Sequence, residues 1–347
     1  MNTIILTKNY EQYTAGYYHH DINKAFMKRG NCYLYGKGYP DYDEEDTIQD
    51  VIAKSSFNKE EVDLIVVGTS WEREEPDVQE SDPHPGINLS KLNILKVFFL
   101  NKEYKKLDKK LEYAVENRFD LICTSHYNWK KWATKTGLNF LHLPFAADPK
   151  RFKDYGLSRK YDFGFTGSLH RDYTDIRYRI KCRLFKSPDI KSNLDMTALF
   201  RKNPVREEFR QYRIYWAEWG ARRFPWESLL PVGNKYVKFL DSFKAFLSTP
   251  SAFGLIGTRY FECMATKTLV FCPESEYYDD MFRDGYNCVM FKEDLSDFTE
   301  KLYYVLRDDS ERQTIIENAH QDFINNHTYD KRIEKVLDVL FRGELNE

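Results

Sequence analysis

Two rhythms of apolar and polar positions run through the first half of the chain. Short, nearly continuous apolar runs stand at residues 3–6 (TIIL), 32–36 (CYLYG), 62–68 (VDLIVVG), 94–100 (ILKVFFL), 120–125 (DLICTS) and 139–143 (NFLHL). Runs of this length predict parallel strands covered on both faces. Between them the spacing turns helical. Tyr18, Ile22, Ala25 and Phe26 share one face before Gly30, and Tyr104, Leu107, Leu111 and Ala114 form a stripe on a helix expected from Glu103 to Asn117. Strand–helix alternation of this kind predicts a doubly wound α/β domain.

The rhythm breaks at LPFAADPKRF (143–152), where an apolar strand gives way to polar, proline-containing chain. A domain boundary is expected there: residues 1–150 form a first Rossmann-like domain, 151–326 a second, and 327–347 a terminal helix with Ile333, Val336, Leu337, Leu340 and Phe341 on one face. The second domain restarts with YDFGFTG (161–167), a strand ending in glycine, and the arginine-rich helix IRYRIKCRLF (176–185). A short helix at 235–242 and a strand at 244–250 follow. Residues 187–232 hold four prolines and three tryptophans, and their pattern assigns no element with a function. Residues 70–88 are acidic and proline-broken, which predicts a long loop after a strand.

Composition narrows the classes. A chain of 347 residues suits two domains, each with its own core. The 52 basic and 54 acidic residues give a net charge of −2, so nucleic acid is not an expected partner. The six cysteines are scattered without a C-x-x-C pair, which points to a reducing cytoplasm rather than a disulfide scaffold or metal cluster. The opening MNTIILTKNY is too briefly apolar for a signal peptide or a membrane span. The expectation is a cytoplasmic protein with no transmembrane segment, able to touch a membrane only peripherally. No G-x-G-x-x-G follows the first strand, which weighs against a dehydrogenase or an epimerase.

The most informative stretch is SAFGLIGTRYFECMATKTLVFCP (251–273). Gly254 and Gly257 precede a helical pattern of Tyr260, Phe261, Met264 and Ala265, so a helix is expected from Gly257 or Thr258. Its first turn offers free N–H groups and a positive dipole end, and Arg259 adds a guanidinium suited to phosphate. Glu262 falls on the same face as Arg259, where a carboxylate can accept from ribose hydroxyls. An ordinary surface ion pair has the same spacing.

This stretch, with MFRDGYNCVMF (281–291), DLSDFTEKLYYVL (294–306) and HTYDKRIEKVLDVL (327–340) in order after it, resembles the C-terminal half of GT-B, group 1 glycosyltransferases. In particular it is similar to the branch with a GTRYFE-x-MA helix found in spore-coat CgeB-like proteins and in enzymes of large algal viruses. FTGSLH (165–170) and LPFAADPKRF extend the likeness upstream. The resemblance implies two Rossmann-like domains facing a cleft, with the last helix crossing back to the N-terminal domain. It implies metal-independent transfer of a sugar from a nucleoside-diphosphate donor, UDP- or GDP-linked, to a glycan, lipid-linked or protein-linked hydroxyl. A viral origin would place it in host cytoplasm. Gly257, Thr258, Arg259 and Glu262 are the expected donor-binding residues, joined by Gly167, Ser168 and Arg171 at the glycine-ended strand. A simple strand-to-helix turn, with Asp172 or Thr174 as cap, fits the latter group as well. Many retaining members carry a second glutamate that would fall at 254, where this chain has glycine, so retention and inversion both stay open. An inverting route needs a general base, for which His19, His20 and Asp21 are candidates and His126 a further one. His142, among leucines, reads as a core residue. A degenerate GT-B module that binds a glycan or protein partner without turnover is the non-enzymatic alternative.

Overall fold

The computed structural model of the chain describes residues 1–11, 16–69, 87–168, 175–184, 212–219, 233–251, 253–278 and 280–343. The chain forms two compact units, one of Met1–Ala146 with Tyr329–Glu347, the other of Ala147–Thr328. Most of the acidic stretch 70–88, the caps Asp172 and Thr174, and most of 187–232 lie outside the described residues.

In the first unit β1 (Asn2–Leu6), β2 (Asn31–Tyr35), β3 (Leu64–Val67), β4 (Leu95–Leu100), β5 (Leu121–Thr124) and β6 (Phe140–His142) form a parallel sheet in the order β2-β1-β3-β4-β5-β6. Successive side chains of a strand point to opposite faces. Hence Ile4, Leu6, Ile65, Val67, Phe98 and Leu100 enter one core, while Ile5, Leu64, Val66, Val97 and Phe99 enter another. Two covered faces are why the strands read as unbroken apolar runs. Residues of α2 (Ile48–Lys54), α3 (Leu107–Glu116) and α4 (Trp129–Thr136) close the first core, and those of α1 (Tyr17–Met27) and α10 (Tyr329–Arg342) close the second.

Three expectations shift. Helix α3 starts at Leu107 because Lys106 takes φ 46° and ψ 40°, a left-handed conformation that a right-handed helix cannot contain, and Tyr104 is left outside it, 46% exposed. In α10 Ile333 and Val336 are fully buried and Leu337 and Leu340 pack against the same core, but Phe341 is 52% exposed, so the apolar face ends at Leu340. His142 is only half-buried.

The second unit holds β7 (Tyr161–Ser168), β8 (Ile214–Trp219), β9 (Phe243–Leu247), β10 (Leu269–Pro273) and β11 (Val289–Phe291) in the parallel order β11-β10-β9-β7-β8. Its helices are α5 (Asp175–Leu184), α6 (Asn234–Leu240), α7 (Thr258–Ala265), α8 (Phe298–Arg307) and α9 (Asp309–Asn326). Phe163, Phe165, Phe271, Phe291 and Phe298 build an aromatic core. Gly164 is required by that packing, since a Cβ there would fall 2.1 Å from Cε1 of Phe243. Arg159 fixes the far end of α7: it pairs with buried Asp241 at 2.7 Å and donates to the carbonyls of Thr266 and Lys267 at 3.2 and 2.9 Å. A cation at a helix C-terminus complements the unsatisfied carbonyls. Neither β8 nor α9 was signalled by the sequence pattern. Among the described residues no helix is long and apolar enough to cross a membrane.

Candidate functional site

In an open parallel sheet, ligands bind beyond the carboxyl ends of adjacent strands whose connections leave in opposite directions. That reversal falls between β7 and β9 in the second unit and between β1 and β3 in the first.

At the first of these points β7 ends in Gly167 and Ser168, β9 runs into Ser248 and Thr249, and α7 begins at Thr258. Gly257 caps α7 with φ −75° and ψ 169°, without a side-chain cap hydrogen bond among the described residues. The Arg259 guanidinium lies 5.9 Å from the Phe165 ring centre and 5.7 Å from that of Phe246, and its Nε has no hydrogen-bond partner among the described residues. Gly167 takes φ +153°, and a Cβ there would come within 3.1 Å of Phe165 Cζ and 3.4 Å of Arg259 Nη1. Glycine at 167 therefore lets the guanidinium lie against the end of β7. The strand candidate and the helix candidate meet here. Arg171 lies outside the described residues.

A second guanidinium reaches the same ring. Arg177, from α5, lies 5.5 Å from the Phe165 centre and donates from Nε to Thr249 Oγ1 at 2.6 Å. Burial, and then repulsion from Arg259, push its pKa down to about 10. Two like charges gathered on one ring are costly unless an anion joins them. Sequence reasoning missed Arg177 because Arg179 and Arg183 stand beside it in the same helix. Those two instead donate to the carbonyls of Glu293 and Asp294 and to Thr299.

Glu262, 6% exposed, accepts a 2.9 Å hydrogen bond from Tyr236 on α6. Burial works against the charge on Arg259, but Tyr236 and Glu262 outweigh it and hold its pKa above the ordinary value. Arg259, Tyr236 and Glu262 thus form one part-buried polar group on α6 and α7. The loop before α7 is set by Ser251, whose Oγ accepts from the N–H groups of Phe253 and Leu255 at 3.2 and 3.1 Å. Gly254 sits in that turn at φ +71°, a left-handed position that suits glycine and disfavours glutamate.

At the reversal point of the first unit, Lys8 follows β1, Thr69 follows β3 and Asn101 follows β4. His19, 5% exposed, places Nδ1 2.6 Å from Thr69 Oγ1, with its ring 4.2 Å from Tyr10 and 3.9 Å from Tyr18. Asn101 donates to Thr69 O at 3.0 Å and to Tyr18 Oη at 3.4 Å. Burial, then Lys102 and Lys8, push the His19 pKa down to about 3. The imidazole is therefore neutral at neutral pH and a weak base. His20 is half-buried, 4.0 Å from Glu11, and Asp21 is buried on the same helix. His126 accepts the Asn128 N–H at 3.1 Å and stacks on Tyr127, a local turn role.

Two parallel α/β sheets joined in one chain, each with its reversal point, make the GT-B fold, and comparison with known proteins bears this out. Crystal structures of the Anabaena protein HepE with UDP and of sucrose-phosphate synthase from Thermosynechococcus elongatus match over nearly the whole chain. For HepE the identity is 11%, with 98% of this chain and 99% of that one covered and a TM-score of 0.56. For the synthase the values are 10%, 99% of each chain and 0.58. A glycosyltransferase from Rickettsia africae matches at 10% identity over 100% of this chain and 99% of its own, with a TM-score of 0.54. At such identities the likeness is one of fold. A family model described as "Glycosyl transferase-like" matches residues 198–338, which include α7, Arg259 and Glu262. No curated protein sequence matches the chain.

Proposed function

We propose that the chain is a group 1 glycosyltransferase that takes a sugar from a UDP- or GDP-linked donor on the second unit. The sugar passes to a hydroxyl of a glycan, lipid-linked or protein-linked acceptor on the first. The observation that carries this reading is the pair of guanidiniums, Arg177 and Arg259, on Phe165 at the N-terminus of α7. A diphosphate is the ligand that fits two fixed cations and a helix start. In the transfer the acceptor hydroxyl gives its proton to a general base, its oxygen bonds to the anomeric carbon, the bond from that carbon to the diphosphate breaks, and the diphosphate leaves with the electron pair. Arg177, Arg259 and the α7 N–H groups balance that charge, so no metal is required for it. Glu262 accepts from the ribose hydroxyls, and Gly167 keeps the backbone clear of the phosphates. HepE has been solved with UDP and with UDP-glucose, which favours a uridine donor. The helix sequence GTRYFE-x-MA favours the CgeB-like branch, and a cytoplasmic site of action fits the cysteine usage.

Titration calorimetry of the full chain against UDP, GDP, ADP, CMP and dTDP, with a chelator present, tests this reading. One nucleotide is expected to bind selectively, and Arg259→Ala to weaken it by about thirtyfold, the worth of one charge-assisted contact. If no nucleotide binds, or nicotinamide cofactors bind instead, the reading fails. Slow hydrolysis of the matching nucleotide-sugar separates an enzyme from a binding module.

A further inference from the structure

Arg259 and Glu262 stand three residues apart on α7, the spacing at which a guanidinium and a carboxylate on one helical face close into an ion pair. Here they do not close. Burial is the largest influence on the Arg259 charge; Tyr236 on α6 comes next, through charge and a side-chain hydrogen bond, and Glu262 follows through charge alone. The same Tyr236 hydroxyl donates to Glu262 Oε2 at 2.9 Å. One hydroxyl therefore engages both members of a pair that has not formed. Its own place is fixed by packing. Val237 and Leu240 anchor α6 in the core, the Tyr236 N–H donates to Gly233 O at 3.0 Å, and the buried Phe152 ring meets the Tyr236 ring edge-on at 6.3 Å.

Burial, and then Glu262, raise the Tyr236 pKa well above its ordinary value, so the hydroxyl keeps its proton and commits its single hydrogen to the carboxylate. Arg259 itself rests against Phe165 and Phe246, and its Nε has no hydrogen-bond partner among the described residues. Without the hydroxyl, attraction between opposite charges in a partly buried place would draw the carboxylate onto the guanidinium. A cation closed on a carboxylate has given up the N–H groups that a phosphate needs. We propose that the Tyr236 hydroxyl keeps Arg259 and Glu262 apart and so leaves the guanidinium to an anionic ligand, in the donor site a diphosphate. Tyr236 is then a positioning residue for that site, and only the ligand arm of the test rests on the donor reading.

Tyr236→Phe removes the hydroxyl and keeps the ring on Phe152. The full chain is titrated by calorimetry with 2′,3′-dideoxy-UDP, which offers Glu262 no ribose hydroxyl, so that any effect of the carboxylate reaches this ligand through Arg259. Tyr236→Phe is expected to weaken binding about tenfold in the parent chain and less than about twofold in the Glu262→Gln background, where no carboxylate is left to close on the guanidinium. Any other pattern overturns the proposal: equal losses in both backgrounds make the tyrosine merely structural, and no loss in either makes it idle. Thermal melts without ligand read the same event. The melting-temperature changes of Arg259→Met and Glu262→Gln, taken singly and together, are expected to depart from additivity by about 2 °C more once Tyr236→Phe is present, because a direct pair has then formed. A departure no larger than in the parent overturns the proposal. If the parent chain binds neither UDP nor the dideoxy probe, the donor assignment falls and these melts alone decide the role of Tyr236.

Discussion

Replacing Arg177 with methionine should stabilise the free protein and weaken nucleoside-diphosphate binding at the same time. A guanidinium held near 10 instead of 12.5 is disfavoured in its charged form, and at neutral pH, below both values, the penalty is about 3 kcal/mol. The sign follows from a cation whose folded pKa is lowered: the penalty is complete below about 10 and fades only as pH rises past it. Methionine removes that penalty and keeps an unbranched apolar chain over Phe165. It also loses the 2.6 Å bond to Thr249, worth about 1.5 kcal/mol, and the ring contact, worth about 0.5–1 kcal/mol. The balance favours the variant by about 1 kcal/mol, or a rise in Tm of about 2–4 °C. Losing one charge-assisted phosphate contact should weaken UDP about thirtyfold. Thermal melts without nucleotide and calorimetry with UDP read the two effects separately, and Arg179→Met, which removes bonds to the Glu293 and Asp294 carbonyls, serves as control. A variant that melts earlier than the parent and binds UDP equally well would refute both the burial argument and the role of Arg177.

Glu262→Gln should weaken UDP about tenfold and erase the preference for UDP over 2′-deoxy-UDP, as read by calorimetry; a preserved preference removes the ribose role. Gly164→Ala should cost about 2–3 kcal/mol in urea unfolding, because Phe243 has to move from a fully buried position to admit a Cβ. Burial raises the pKa of Asp322, but hydrogen bonds from His327, Asn326 and Asn287 outweigh it and hold the pKa down to about 2. Its contribution of about 2 kcal/mol is therefore present above pH 4 and lost as pH falls through about 2, and Asp322→Asn should show the deficit at pH 7 and converge with the parent in acid. For His19 the folded pKa is lowered to about 3, so its contribution is complete above about 6.5 and lost as pH falls toward 3. His19→Asn should flatten the stability-versus-pH curve in that window by up to about 1.4 kcal/mol per pH unit.

The strands were legible because a sheet covered on both faces leaves a physical trace, an unbroken apolar run, and β3, β4, β5 and β6 each lie within a run read from the sequence. Helix α7 was legible from its glycines and buried face, and with it Arg259 and Glu262. Helix α9 was not, since Ile315, Ile316, Ala319 and Phe323 are all the apolar positions it buries along 18 residues, and the buried Arg312 reads in sequence as a surface charge. The start of α3 was misplaced because nothing in a lysine announces a left-handed backbone. Arg177 escaped notice for a related reason. Its difference from Arg179 lies in Thr249 and Phe165, which the fold supplies from residues 72 and 12 positions away in sequence.

The turn at Gly254 limits how the proposed chemistry can be divided. A left-handed glycine stands where a retaining enzyme of this pattern would hold a carboxylate, and Glu262, on the next helix, is buried with one oxygen on Tyr236 and Arg259 alongside. On the proposed reading both guanidiniums, the start of α7 and the bare backbone at Gly167 serve an anion, and the second unit holds the leaving group and neutralises it. Proton removal from the acceptor then falls to a group outside this cluster. His19 is a poor choice as a base, because burial and then Lys102 and Lys8 lower its pKa to about 3. An NMR titration of the His19 ring should show a pKa well below the ordinary 6.5; a value near 6.5 would return the imidazole to the candidate bases.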